Sequence, residues 1–288
     1  MRRLNYVILV TGAAGNVGDG VVGGLLDSGE KIRVLTRNPD GARRWASEVE
    51  VVAGDLTDVD SLAAALSGVT KVFLLLVLPG IPQADPIVQA VRRAGVEHVV
   101  LMSSIRAGSQ QDSAIKHVNL AAEAAVRNSG MGWTFLRGGT FMSNTLQWAP
   151  SVRSERIVRA HGGGFRSSAV DPRDVGAVAA RVLIDSDAHR SRSYVLTGSE
   201  IVTITEQVAV LGDLLGERVE FQELPEAVVR TMMTESLHLP SMIVDAMISM
   251  YQNSDESLVV IDPAVRDILG RAPRSFRQWT ADNIESFR

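Results

Sequence analysis

The chain has 288 residues and a formal charge of −4, with 45% hydrophobic and 22% charged residues. That is an ordinary globular balance, and Lys and Arg are scattered rather than striped, which argues against a long disordered segment and against direct nucleic-acid binding. The absence of cysteine excludes disulfides, thiolate metal sites and a cysteine nucleophile. The histidines His98, His117, His161, His189 and His238 lack ligand spacing, so no metal is expected. The longest apolar run, Val72 to Leu78, is closed by Pro79-Gly80, far short of the roughly 20 residues a bilayer span needs. With no apolar signal region after Met1-Arg2-Arg3, a cytoplasmic protein without membrane partners is expected.

Along the chain, β-branched runs at 6–11, 32–36, 49–53, 71–78, 97–103 and 133–137 predict strands. Amphipathic stretches predict helices between them: 17–28, with Val17, Val21 and Leu25 on one face and Gly29 as its stop, then 59–66, then 84–94 before Gly95. This alternation predicts an α/β fold, a Rossmann doubly wound parallel sheet with right-handed crossovers. After residue 140 the alternation fails, and a smaller α+β substrate lobe is expected at 141–167 and 199–288. Core elements return at 168–198, in a helix carrying Val175, Val178 and Val182 and a strand at Tyr194-Val-Leu. Thr203 and Glu206 have capping-box spacing and open a helix to Leu215. A helix over 225–251, a strand near 258–261 and a last helix after Pro273 complete the reading.

The sharpest motif joins the first strand to the first helix: Gly12-Ala13-Ala14-Gly15-Asn16-Val17-Gly18. Gly12 suits the tight turn, Gly15 lets the backbone approach a pyrophosphate, and Gly18 permits close helix–strand packing. Ala14, Asn16 and Val17 present backbone N–H groups to the anion at the helix N-terminus. The second strand ends in Thr36-Arg37, where an NAD enzyme usually places a carboxylate for the ribose 2′-hydroxyl, so a 2′-phosphate and NADP(H) are favoured; the plainer alternative is a solvated loop arginine. Asp55-Leu56, after the third strand, is a candidate for the adenine or simply a cap of the next turn. The end of the fourth strand, Leu75 and Leu76, and Ser103 at the end of the fifth are placed beside the cofactor.

At this point the sequence resembles the atypical short-chain dehydrogenase/reductases of the NmrA-like group. The resemblance covers nearly the whole chain and rests on TGAAGNVG at 11–18, VLTRNP at 34–39, VVAGDLTD at 51–58 and HVVLMSS at 98–104. It continues through Trp133-Thr-Phe-Leu-Arg137, VDPRDVGAVAARVL at 170–183, Tyr194-Val-Leu-Thr-Gly198 and Pro273-Arg-Ser-Phe276. It implies a Rossmann core with a small C-terminal lobe and a substrate lying between them over the nicotinamide. Members are NAD(P)H-dependent reductases of quinones, dyes, imines or polyketide ketones, or nucleotide-sensing regulators.

The wider superfamily's Tyr-x-x-x-Lys pair is absent: counted back from Glu123, its slots hold Lys116 and Leu120. Asn119 stands where several relatives have histidine, and Arg137 is followed by Gly138 where relatives commonly have proline. The remaining proton-donor candidates are Ser103, Ser104, Lys116, His117 and Asn119. Against catalysis, the serines could serve as backbone caps and the Lys116-His117 pair as a solvated turn. Met232, Met233, Met242, Met247 and Met250 could line a pocket for a flat apolar substrate or simply fill a core. Asp171 and Asp174 are read as cap and dipole partners of the following helix, and His161-Gly-Gly-Gly164 as a surface turn. The expected function is an NADPH-dependent oxidoreductase for an apolar, aromatic carbonyl or quinone. The alternative is a non-catalytic NADP(H)-sensing regulator acting through a protein partner.

Overall fold

In the computed structural model, which describes residues 7–45, 47–76, 84–252, 255 and 258–288, the strands are β1 (Val7–Thr11), β2 (Lys31–Thr36), β3 (Glu50–Ala53), β4 (Lys71–Leu75), β5 (His98–Ser104) and β6 (Gly132–Gly138), then β7 (Ile157–Ala160), β8 (Arg166–Ser167), β9 (Arg192–Leu196), β10 (Val202–Thr203) and β11 (Glu220–Glu223). Seven of them form one sheet in the order β3-β2-β1-β4-β5-β6-β9, and every pairing in it is parallel. The order reverses between β1 and β4, and such a switch point opens a crevice at the carboxyl edge of the sheet.

The helices are α1 (Asn16–Leu26), α2 (Val59–Leu66), α3 (Ala84–Arg93), α4 (Ala114–Asn128), α5 (Ala149–Glu155) and α6 (Pro172–Ile184), then α7 (Ile204–Leu215), α8 (Glu226–Thr231), α9 (Ser241–Gln252), α10 (Ala264–Leu269) and α11 (Phe276–Asp282). Helices on both faces explain why the central strands are apolar without alternation. On one face Val21, Leu25, Val178 and Val182 pack over Ile8, Val10 and Val34. On the other, Leu62, Val91 and Val126 cover Leu9, Leu74 and Phe135. Helices α1 and α6 touch backbone to backbone: a Cβ added at Gly176 would lie 2.5 Å from the Gly20 carbonyl carbon.

A third apolar cluster, with Trp148, Val158, Leu211, Phe276 and Trp279, is built from the elements after Phe141. Its strands pair only two by two, β7 with β11 and β8 with β10. Asp171 caps α6 by accepting from the Arg173 backbone at 2.8 Å. Asp174 does more than meet a helix dipole. Fully buried, it accepts from Arg271 at 2.7 Å and from the Arg274 backbone at 2.7 Å, anchoring the C-terminal segment to α6.

Several expected elements differ. The helix expected over 225–251 is interrupted between Ser236 and Ser241, where His238 adopts φ of 51° and Pro240 follows. Residues 258–261 are not a strand; their β-branched run has the side chains of one but pairs with no strand among the described residues. Strand β4 ends at Leu75, and residues 77 and 78 of the expected run, like Tyr6 of the first and the Pro79-Gly80 closure, lie outside the described residues. No helix of the described residues is long and apolar enough to cross a membrane.

Candidate functional site

The glycine loop is positioned from below by Thr11. Its hydroxyl donates to the Phe73 carbonyl at 3.0 Å and accepts from the Leu75 backbone at 3.0 Å, tying the end of β1 to β4 at the switch point. Gly12 then turns with φ of 66°, and a Cβ there would meet Leu75 Cδ2 at 2.9 Å. The Gly15 backbone donates to the Gly12 carbonyl at 3.0 Å, closing the turn. A Cβ at Gly18 would stand 2.1 Å from that same carbonyl oxygen, so α1 seats against the loop only because Gly18 has no side chain. At Gly15 an added Cβ would touch only the Gly12 oxygen, at 3.3 Å.

Above the loop is a cavity of about 260 Å³, lined by Ala14, Gly15 and Asn16 and flanked by Arg44 and Arg173. The first turn of α1 leaves N–H groups without intrahelical partners, and they suit a pyrophosphate. Val17 packs toward the core. At the end of β2 the Arg37 side chain is 80% exposed, 3.9 Å from Asp55, and so is held by little. Thr36 Oγ1 instead closes a local turn with Asn38 at 3.1 Å. Asp55 accepts from the backbone and hydroxyl of Thr57, each at 2.8 Å, and these bonds hold its carboxyl below the usual carboxylate range. Leu56 packs on the core beside Leu62, Leu75 lies under Gly12, and Leu76 is buried.

Along the same carboxyl edge runs a cleft of about 620 Å³ between β5, β6 and the elements after Phe141. Phe141, Trp148, Phe165, Met247, Met250 and Tyr251 form its apolar wall, while Ser104, Arg106, Thr140 and Asn144 bring polar groups. Of the five methionines singled out, Met233, Met247 and Met250 line this cleft, Met242 lines an adjoining cavity, and Met232 is exposed. The His161 loop is partly covered, its ring edge-on to Tyr251 at 5.8 Å. Burial raises the Tyr251 phenol above its ordinary pKa, which makes it a poor acid.

The candidate donors divide. Ser103 is buried and donates to Glu123 at 2.7 Å. Glu123 is itself fully buried and clasped by Arg137 at 2.9 and 2.7 Å, a bidentate pair that keeps the guanidinium firmly charged. Ser104 faces the cleft; its Oγ accepts from the Arg106 backbone at 3.2 Å, which leaves the hydroxyl proton free to donate. Lys116 lies in the first turn of α4, and His117 is exposed and paired with Asp112 at 2.6 Å; neither lines the cleft. Asn119 is buried, its Nδ2 donating to the Ile115 carbonyl at 2.8 Å and its Oδ1 without a partner among the described residues. Sequence reasoning passed over Arg106 and the Glu123–Arg137 pair. The signal for Arg106 was its position two residues beyond Ser104, in the loop at the ligand-binding edge.

The NmrA-like family matches residues 5–278. A (4-alkanoyl-5-oxo-2,5-dihydrofuran-3-yl)methyl phosphate reductase of Streptomyces griseus is 38% identical over 283 residues, covering 98% of this chain and 99% of the relative. An NAD(P)H azoreductase of Xenophilus azovorans is 30% identical over 287 residues, covering 98% and 99%. Among solved structures, the NADPH-dependent quinone oxidoreductase of Escherichia coli complexed with NADPH superposes with a TM-score of 0.78 at 25% identity, covering 96% of this chain and 98% of that one.

Proposed function

The chain belongs to the NmrA-like family, and from that premise we propose that it is an NADPH-dependent reductase for a planar, conjugated carbonyl acceptor of the quinone or enone type. The observation that carries this reading is an apolar cleft opening on the same sheet edge as the glycine cradle, with Ser104 in its lining. The relatives' names point to a furanone phosphate, an azo compound and a quinone. These share an electron-poor conjugated system, in which charge gained on reduction is delocalised.

NADP(H), when bound, supplies the hydride. The protein's part is to hold and orient. The Gly12–Gly18 loop and the N-terminus of α1 take the pyrophosphate, Thr36 and Arg37 the 2′-phosphate, and Leu75 backs the loop. Asp55, Leu56 and Leu76 border the adenine side. The aromatic and methionine wall excludes water and keeps a flat acceptor in one plane. The Ser104 hydroxyl donates to the acceptor oxygen as negative charge grows there. Ser103 acts one step back, linking β5 to the Glu123–Arg137 pair and so fixing where Ser104 points.

Such an acceptor needs no strong protein acid, which fits Lys116 and Leu120 standing in the tyrosine and lysine slots. Orientation can contribute about 7–11 kcal/mol, whereas a general acid adds about 10²–10⁴-fold. The test is a panel of quinones, enones, aromatic ketones and azo dyes, followed by loss of NADPH absorbance. Turnover on quinones and enones above simple ketones is expected. No turnover on any class, together with an NADP(H)-dependent protein partner, would establish the regulator instead.

A further inference from the structure

We infer that Arg106 is an anion-binding subsite inside the cleft, so that the acceptor carries a phosphate or carboxylate beside its conjugated apolar body. Arg106 sits in the single turn Ile105–Gly108 that follows β5, two residues beyond Ser104. Together with Ile115 and Met250 it lines both the 620 Å³ cleft and an adjoining cavity of about 350 Å³.

Other arginines near the site have partners, Arg166 of the same cleft included. Arg137 has Glu123, Arg173 has Asp171 and Asp282, and Arg44 has Asp19. Arg106 differs: among the described residues its guanidinium makes no hydrogen bond and no ion pair. Partial burial lowers its pKa, with Asp255 attracting it only through space. That carboxylate already accepts from the Ser109 hydroxyl at 2.5 Å. The carboxylates of the adjoining cavity are engaged too, Asp112 by His117 and Asp245 by Arg230.

A partly desolvated guanidinium with spare donors costs free energy unless a ligand meets it, and its planar fork matches a phosphate or carboxylate. The surrounding wall of Phe141, Trp148 and methionines is apolar, so the anion is the exception on an otherwise apolar ligand. Arg106 and Ser104 line the same cleft, so one molecule bound there meets both groups. Cationic acceptors are disfavoured by the same charge.

This inference rests on the reductase reading only in that the anionic molecule is the one reduced, and the experiment separates the two. Steady-state kinetics with naphthoquinone and naphthoquinone sulfonate give a preference ratio in kcat/KM, which cancels general effects on catalysis. The ratio is expected to fall at least about tenfold in Arg106→Gln, with partial recovery in Arg106→Lys. Calorimetry of naphthyl phosphate on the NADP⁺-loaded protein should show the same loss, and NADPH affinity measured alongside reports that the variant is folded. An unchanged ratio, naphthyl phosphate binding unaffected by Arg106→Gln, or no binding to the unaltered protein overturns the subsite. If neither quinone is reduced but Arg106 still governs naphthyl phosphate binding, the subsite stands and the reductase reading falls.

Discussion

Gly15 and Gly18 lie three residues apart in one motif, yet the geometry assigns them separable roles. At Gly18 an added Cβ would meet the Gly12 oxygen at 2.1 Å, the Gly12 carbonyl carbon at 2.6 Å and the Ala13 Cα at 2.7 Å. All three are backbone atoms, so α1 must move by about 1 Å, a forced overpacking that costs roughly 1–3 kcal/mol or more. Ala recovers up to about 1 kcal/mol of helix propensity; with three backbone clashes the cost sits in the upper part of that range, leaving a net loss of about 1–2 kcal/mol, or roughly 2–8 °C in Tm. At Gly15 the Cβ meets a single oxygen at 3.3 Å, the φ of −86° suits any residue, and the methyl projects beside the cavity above the loop. Gly15→Ala should therefore cost no more than about 1 kcal/mol, the difference between Gly and Ala as N-cap. It should nonetheless weaken NADPH at least about tenfold, because the methyl occupies the path of the pyrophosphate. Thermal unfolding without nucleotide and NADPH calorimetry on both variants decide it. NADPH affinity unchanged within about twofold in Gly15→Ala, or an unchanged Tm in Gly18→Ala, would refute the reasoning.

Ser104→Ala, Lys116→Ala and His117→Ala should each lower kcat by no more than about 10²-fold on the best acceptor, and a fall beyond about 10⁴-fold in any of them, with NADPH affinity intact, would reveal a dedicated acid. His98 predicts a pH dependence of stability. The Thr134 hydroxyl donates to the His189 carbonyl at 2.8 Å, so His98 Nε2–H donates to Thr134 at 3.0 Å and the buried Nδ1 has no partner among the described residues. Burial, reinforced by Arg190 and Lys71, pushes the His98 pKa down from 6.5 to about 4. The unfolded chain therefore binds the extra proton between those values, and this contribution is complete above about pH 6.5 and declines as pH falls toward 4, by up to about 3 kcal/mol. Urea unfolding across that window should show a shallower slope for His98→Gln, and equal slopes would contradict the assignment.

What the sequence made legible was what is local in the chain. Gly12, Gly15 and Gly18 and the Thr203–Glu206 capping box, present in the structure with both reciprocal bonds, work through neighbours a few residues away. Apolar runs likewise located the central strands of the parallel sheet, because β1, β4 and β5 are buried on both faces over nearly their whole length. The elements after Phe141 were less legible because their pairings are short and distant: β7 meets β11 some 60 residues on, over four residue pairs. The run at 258–261 shows the converse, strand-like side chains with no edge to join. In the site, Ser103 and Ser104 looked alike, since nothing in their spacing tells which hydroxyl Glu123 will capture. Lys116 and His117 were singled out by position in a motif, but α4 directs neither into the cleft. Arg106 is not legible in the sequence because its distinction, a guanidinium without a partner among the described residues, comes from the packing of the turn after β5 against α9.

The most direct test of the central claim is steady-state oxidation of NADPH and of NADH, side by side, with naphthoquinone as acceptor. The account predicts quinone-dependent oxidation with kcat/KM for NADPH at least about tenfold above that for NADH, a margin that collapses in Arg37→Ala as a charge-assisted contact on the order of 1.5–3 kcal/mol is lost. Equal rates with the two nucleotides, or no quinone-dependent oxidation of either, would contradict it.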